Sequence, residues 1–254
     1  MNPAEYLHMF REEEKHWWYA GMRHIVLSIL RPSMLPGNPR VLDAGCGTGY
    51  TMGWLRQYYA AGVTGVDCSS YGLALSQRRG EKSLVRGDVA ALPFHSGLFD
   101  LITSFDVLSH VSGDIQRAHA LREFSRVLKP GAILLIRVAA YEWLRSSHDK
   151  EICTHHRYNE KELREAVSAA GFAIARSTYA NTILFPAAVL WRILKKAGLA
   201  PAGSDVRSTT RGTEWMNRLL LTVLSREATL LQRTRFRFPS GLSLFIMANK
   251  VRSV

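Results

Sequence analysis

The stretch Arg40-Val-Leu-Asp43-Ala-Gly45-Cys-Gly47-Thr-Gly49 decides the fold. Its first five residues read as a short buried strand that ends beside a carboxylate. The glycines that follow let the backbone turn tightly and bring amides to the start of a helix. A second acidic residue, Asp67, ends the next strand-like run, Gly62-Val-Thr-Gly-Val-Asp67. A carboxylate there can accept hydrogen bonds from both hydroxyls of a ribose. A dinucleotide-binding turn spaces its glycines G-x-G-x-x-G to admit a pyrophosphate. The shorter spacing here disfavours a nicotinamide-linked oxidoreductase.

A β/α alternation extends outward from this turn. Helices are expected around Tyr50–Tyr59 and Tyr71–Arg79, and strands at Ser83–Asp88 and Phe99–Phe105. Lys129-Pro-Gly131 terminates a helix over Asp114–Leu128. A fifth strand follows at Ala132–Val138, then a helix over Glu160–Ala170 and final strands at Phe172–Tyr179 and Leu242–Ala248. Such alternation predicts an α/β fold with a doubly wound, mostly parallel sheet of seven strands, whose ligands bind at the strands' carboxyl ends. Residues 1–35 read as an N-terminal helical cap, broken near Gly21, and residues 36–254 as the main domain. A helical insertion over about 182–237 carries helices at Leu184–Ala197 and Trp215–Arg233, joined by Pro201-Ala-Gly-Ser. It is expected to form a lid, a homodimer contact or a peripheral membrane surface.

The charge is uneven. Residues 1–156 hold 17 Lys and Arg against 15 Asp and Glu, whereas residues 157–254 hold 16 against 6. The basic C-terminal part favours anionic partners. No apolar run reaches membrane-spanning length and the N-terminus lacks a secretory pattern, so a soluble, cytoplasmic protein is expected. Cys46, Cys68 and Cys153 show no paired spacing, and no metal site is expected.

Taken together, Asp43-Ala-Gly-Cys-Gly-Thr-Gly49, Gly65-Val-Asp67, Gly87-Asp88-Val-Ala-Ala-Leu-Pro93-Phe94, Phe99-Asp100-Leu-Ile and Glu123-Phe-Ser-Arg-Val-Leu-Lys-Pro-Gly131 resemble the class I, Rossmann-like S-adenosylmethionine (SAM)-dependent methyltransferases of the type 11 group. The resemblance implies SAM as cofactor and S-adenosyl-L-homocysteine as product. It places Asp43 and the backbone of Gly45, Cys46 and Gly47 on the methionine portion and Asp67 on the ribose. Cys68, Asp88 and Val89 would meet the adenine, and Phe105 would wall the pocket near the methyl donor. His16-Trp17-Trp18-Tyr19 with Arg23 is similar to an N-terminal signature of one subgroup, whose helices cap the cofactor. His155-His156-Arg157-Tyr158 is similar to another of its segments, which marks Arg157 and Tyr158 as acceptor contacts.

Methyl transfer from a sulfonium is an in-line displacement that mainly requires proximity, alignment and a dry pocket. A histidine base assists when the acceptor is protic. His155 is the favoured base among His110, His148, His155 and His156, because it sits beside Arg157 and Tyr158. The subgroup's acceptors are largely small molecules, including sugars, quinone-like rings and natural-product intermediates. The insertion suits an acceptor that is anionic or hydrophobic. A nucleic-acid methyltransferase is disfavoured, since Phe105-Asp106-Val-Leu replaces the Asn/Asp-Pro-Pro-aromatic motif. A non-catalytic SAM-binding scaffold at a membrane is the remaining alternative.

Overall fold

The computed structural model describes residues 2–146, 149, 152–196, 214–233 and 236–252. The loop-rich quotation above becomes the centre of a seven-stranded sheet. Its strands are β1 (Arg40–Ala44), β2 (Gly62–Asp67), β3 (Leu84–Arg86), β4 (Phe99–Phe105), β5 (Leu128–Ala139), β6 (Phe172–Ala180) and β7 (Ser243–Lys250). Their order is β3-β2-β1-β4-β5-β7-β6. The first five run parallel, and β7 is antiparallel to both β5 and β6. The strand order reverses between β1 and β4, which puts a crevice at their carboxyl ends.

The helices are α1 (Pro3–Glu12), α2 (Trp17–Ile29), α3 (Tyr50–Tyr59), α4 (Ser70–Arg78), α5 (Val107–His110), α6 (Asp114–Val127), α7 (Glu160–Ala169), α8 (Phe185–Lys196) and α9 (Glu214–Leu231). They cover both faces of the sheet, as parallel strands that are apolar on both sides require. On one face Leu121 and Phe124 of α6 and Leu163 and Val167 of α7 pack on Ile102, Leu134 and Ile246. On the other, Met22, Ile25 and Ile29 of α2, Leu55 of α3 and Leu224 and Leu231 of α9 pack on Leu101, Leu135 and Phe245.

Three expectations need correction. Gly21 does not break a helix, because the break falls at Glu13–His16 and α2 runs through Gly21. His16 caps it, its Nδ1 accepting from the Trp18 amide at 3.2 Å. Gly21 instead lets α9 approach, since a Cβ there would stand 2.7 Å from Leu224 Cβ. Lys129-Pro-Gly131 ends α6 but does not separate it from the strand. β5 already begins at Leu128, and its pairing with β4 shifts register between Phe99 and Leu101 to take up the Pro-Gly segment. The expected connector Pro201-Ala-Gly-Ser, like His148, lies outside the described residues. The helices on either side of that connector are present, and α9 belongs to the core through Leu224, Ala228 and Leu231. The buried carboxylate of Glu227 fastens it further by accepting from the Ile183 amide at 2.7 Å.

Candidate active site

The site is built at the carboxyl ends of β1, β2 and β4. Asp43, the fourth residue of β1, is 3% exposed. Its Oδ1 accepts from Thr103 Oγ1 on β4 at 2.8 Å, while its Oδ2 is buried and has no hydrogen-bond partner among the described residues. Burial pushes this carboxyl up to about 7. A carboxylate oxygen kept dry and unsatisfied is costly. The cost is relieved by a cationic donor such as an amino acid's ammonium group. Gly45, with φ of +82°, presses close to α5, and a Cβ on it would collide with Val107. Its amide and that of Cys46 both donate to Val66 O.

Asp67 ends β2 with both oxygens engaged. Oδ2 accepts from the Gly47 amide at 2.9 Å, and Oδ1 from the Ser69 amide at 2.8 Å. Oδ2 keeps a second acceptor direction, and Oδ1 gains one if the long Tyr6 contact yields, so the carboxylate fits a ribose diol. Tyr6 of α1 lies over it, its hydroxyl 3.5 Å from Oδ1. Cys68 and Asp88 are exposed, Val89 is buried, and Asp88 Oδ1 caps its own turn through the Ala90 amide at 2.9 Å.

The N-terminal helices close over this loop through a polar clamp that sequence reasoning missed. Glu13, buried at the end of α1, accepts from Thr48 Oγ1 of the glycine loop and from Arg79 Nη2 at 3.0 Å. Arg79 also donates to Phe10 O at 2.7 Å and lies 4.4 Å over the Phe10 ring. Burial pushes the Glu13 carboxyl up to about 7 against the opposing pull of Thr48 and Arg79. These partners are 35 and 66 residues from Glu13, so no local pattern announced them.

The aromatic signature is split in use. His16 is buried, with the rings of Trp17 and Tyr19 within 5.5 and 6.1 Å. Trp17 packs toward α9, its amide donating to Asn217 Oδ1 at 2.8 Å. Arg23 donates to Tyr50 Oη at 3.2 Å. Trp18 reaches the sheet, where its ring covers the Arg137 guanidinium at 4.8 Å, and Phe105 lies against the same guanidinium at 5.2 Å.

The Cys46 side chain packs beneath the loop, where a Cβ on Gly65 would stand 2.8 Å from its Sγ, so its backbone is what the turn presents, as expected. Arg157 is buried and committed to Asp149 Oδ1 at 2.8 Å and Ala140 O at 3.0 Å. Tyr158 is buried in the core and lines the α6–α7 side. Both help hold the segment after β5 in place. His155 remains exposed, and its backbone is tied to Ser109 O of α5 at 2.8 Å and to Arg145. A groove of about 600 Å³ lined by Leu27, Arg31, Gln232 and Arg233 lies at the far end of α2 and contains none of these groups.

Residues 42–136, the span that carries both acidic positions and the glycine turn, match the family model of a methyltransferase domain. Over that span the chain carries a methyltransferase domain of the class I, SAM-dependent kind. The domain and its fold imply SAM as cofactor, and the unpartnered Asp43 oxygen and the Asp67 carboxylate suit its ammonium and ribose groups. Among proteins similar to the chain is a demethylmenaquinone methyltransferase of Lactiplantibacillus plantarum. It is 35% identical over 130 residues, 48% of this chain and 50% of that protein. A tRNA (carboxymethyluridine(34)-5-O)-methyltransferase of Arabidopsis thaliana is 35% identical over 108 residues, 42% of this chain and 26% of that protein. The chain thus spans half or less of the length of these curated relatives. The methyltransferase solved in complex with the Trm112 activator of Haloferax volcanii shares the methyltransferase fold. It has a TM-score of 0.61 and 22% identity, covering 99% of this chain and 95% of that one.

Proposed function

We propose that the chain transfers the methyl group of SAM to an oxygen, nitrogen or carbon atom of a small-molecule acceptor by in-line displacement. The observation that carries this reading is Asp43, a buried carboxyl with one oxygen unpartnered, set beside Asp67 under a closed helical cap. Asp43 would hold the ammonium of the cofactor, Asp67 its ribose, and the exposed edge of the β3 loop at Asp88 its adenine. When bound, the cofactor supplies an electrophilic methyl group on a good leaving group, and the chain supplies alignment and a dry enclosure. Trp18 meets Tyr19 edge-on and shares Arg137 with Phe105, an aromatic grouping that suits a small acceptor of the sugar, natural-product or lipid-like kind. His155, exposed on the segment anchored to α5, is the proposed base.

Calorimetric titration tests the reading. SAM and S-adenosylhomocysteine should both bind, and Asp67→Ala should weaken each by about tenfold or more, as expected for losing hydrogen bonds to a charged acceptor. No binding of either to the intact protein would sink the enzyme assignment and the SAM-binding scaffold with it.

A second reading, an RNA acceptor, draws support from the basic residues 157–254 and from similarity to a tRNA methyltransferase. Labelled SAM offered with tRNA, and separately with small-molecule extracts, discriminates the two.

A further inference from the structure

Asp106 directly follows β4 and adopts a left-handed conformation, φ +64° and ψ 0°, which is uncommon for a non-glycine residue though aspartate enters it more readily than most. Its amide donates to Arg137 O at 2.8 Å, which fixes the backbone to β5. Arg137 returns two bonds to one carboxylate oxygen, Nη2 at 2.6 Å and Nε at 3.1 Å, both to Oδ2. The guanidinium is clamped between the rings of Trp18 and Phe105 and its side chain is only 10% exposed. The Asp106 side chain is 29% exposed, and both bonds from Arg137 fall on Oδ2, leaving Oδ1 outside that pair. The next residue, Val107, presses on Gly45 of the cofactor turn. Strain, a buried cation and an aromatic clamp all serve to present one carboxylate oxygen beside the methyl donor's expected place.

We propose that Asp106 Oδ1 holds the acceptor, and that the acceptor is therefore a small molecule bearing a hydroxyl or amino group rather than a carboxylate or phosphate at the reacting end. This deepens, and rests on, the methyltransferase reading. An ionised carboxylate is an acceptor-only group and binds N–H and O–H donors. Arg137 spends two of its five N–H donors on Asp106, and the ion pair they form is neutral overall, so the pair offers an anionic acceptor no net positive charge while Asp106 still offers an acceptor oxygen. Arg137 is thus the positioning residue and Asp106 the contact.

The test uses saturation-transfer NMR and titration with three probes, catechol, benzylamine and benzoate, on the full chain with S-adenosylhomocysteine present. Calorimetry of S-adenosylhomocysteine is run first on every variant, so that a failure of the cofactor reading is seen separately. Catechol or benzylamine should bind the native protein better than benzoate does. Asp106→Asn tolerates the left-handed backbone and keeps its carbonyl oxygen on Arg137. Its amide nitrogen then stands where Oδ1 stood and turns an acceptor into a donor. It should bind the hydroxyl and amine probes about tenfold more weakly and benzoate more strongly, with S-adenosylhomocysteine affinity unchanged. Asp106→Gly, which relieves the strained φ, should lose the preference altogether. Native binding of benzoate over the other two, an unchanged preference in Asp106→Asn, or binding of none of the probes would overturn the proposal.

Discussion

At the residue scale, the two carboxyls raised to about 7 set a pH dependence whose sign can be worked out. Asp43 and Glu13 are both pushed up by burial. Between the ordinary carboxylate value and about 7, the folded protein holds protons that the unfolded chain has released. Each group therefore costs stability as pH rises through that window. In the cofactor-free protein, Asp43→Asn should gain on the native protein as pH goes from 5 to 8, by on the order of 1–3 kcal/mol. Thermal melts of the pair across this range measure it; a difference that stays constant with pH would show that Asp43 is ionised throughout. Asp43 and Asp67 were legible in the sequence because glycine spacing and strand ends mark them locally. Asp106 and Arg137 were not, because their pairing joins residues 31 apart on neighbouring strands. A left-handed aspartate leaves no signature that sequence can show. The pairing of Arg157 with Asp149 was illegible for a related reason, since a likeness in sequence does not say which carboxylate a side chain meets.

At the scale of elements, the sheet and its flanking helices followed from periodicity, and β1, β2, β4 and α3 fell at their expected bounds. Contact between distant helices was the part that local pattern could not carry. Gly21 reads as a breaker in sequence, yet it is a contact glycine on α2 against Leu224 of α9. The two helices meet along much of their length, helped by His24 Nδ1 and Ser225 Oγ at 3.0 Å. Gly21→Ala should raise intrinsic helix propensity by roughly 1 kcal/mol and still destabilise the protein by about 1–3 kcal/mol through overpacking. Leu224→Ala should cost about 2–5 kcal/mol by leaving a cavity. The double variant should be more stable than the sum of the two predicts, because the clashes with Leu224 Cδ1 and Cγ are gone and only the 2.7 Å approach to Cβ remains. Urea unfolding of all four proteins decides the matter; strict additivity would mean that α2 and α9 slide apart instead of resisting.

At the scale of the whole molecule, the charge asymmetry separates two jobs. The part that holds the cofactor turn is almost neutral, and the basic surplus belongs to residues 157–254, which include α7, β6, α8, α9 and β7. No helix among the described residues is long and apolar enough to cross a membrane. A basic surface attracts any polyanion, but that attraction comes from counterion release and collapses as salt rises, by a slope of about −0.7 per phosphate contacted on single strands. Base-specific recognition would survive salt better, because it adds hydrogen bonds to base edges. If the acceptor is a small protic molecule under the aromatic cap, tRNA should be retained at about 50 mM salt and released by about 200 mM. It should also take no label from methyl-labelled SAM at either concentration. Filter binding across a salt series, with label counted on the same samples, gives both readings. Label at a single nucleotide that persists at the higher salt would transfer the assignment to RNA. The cap over Trp18 and Arg137 would then have to open far enough to admit an extruded base.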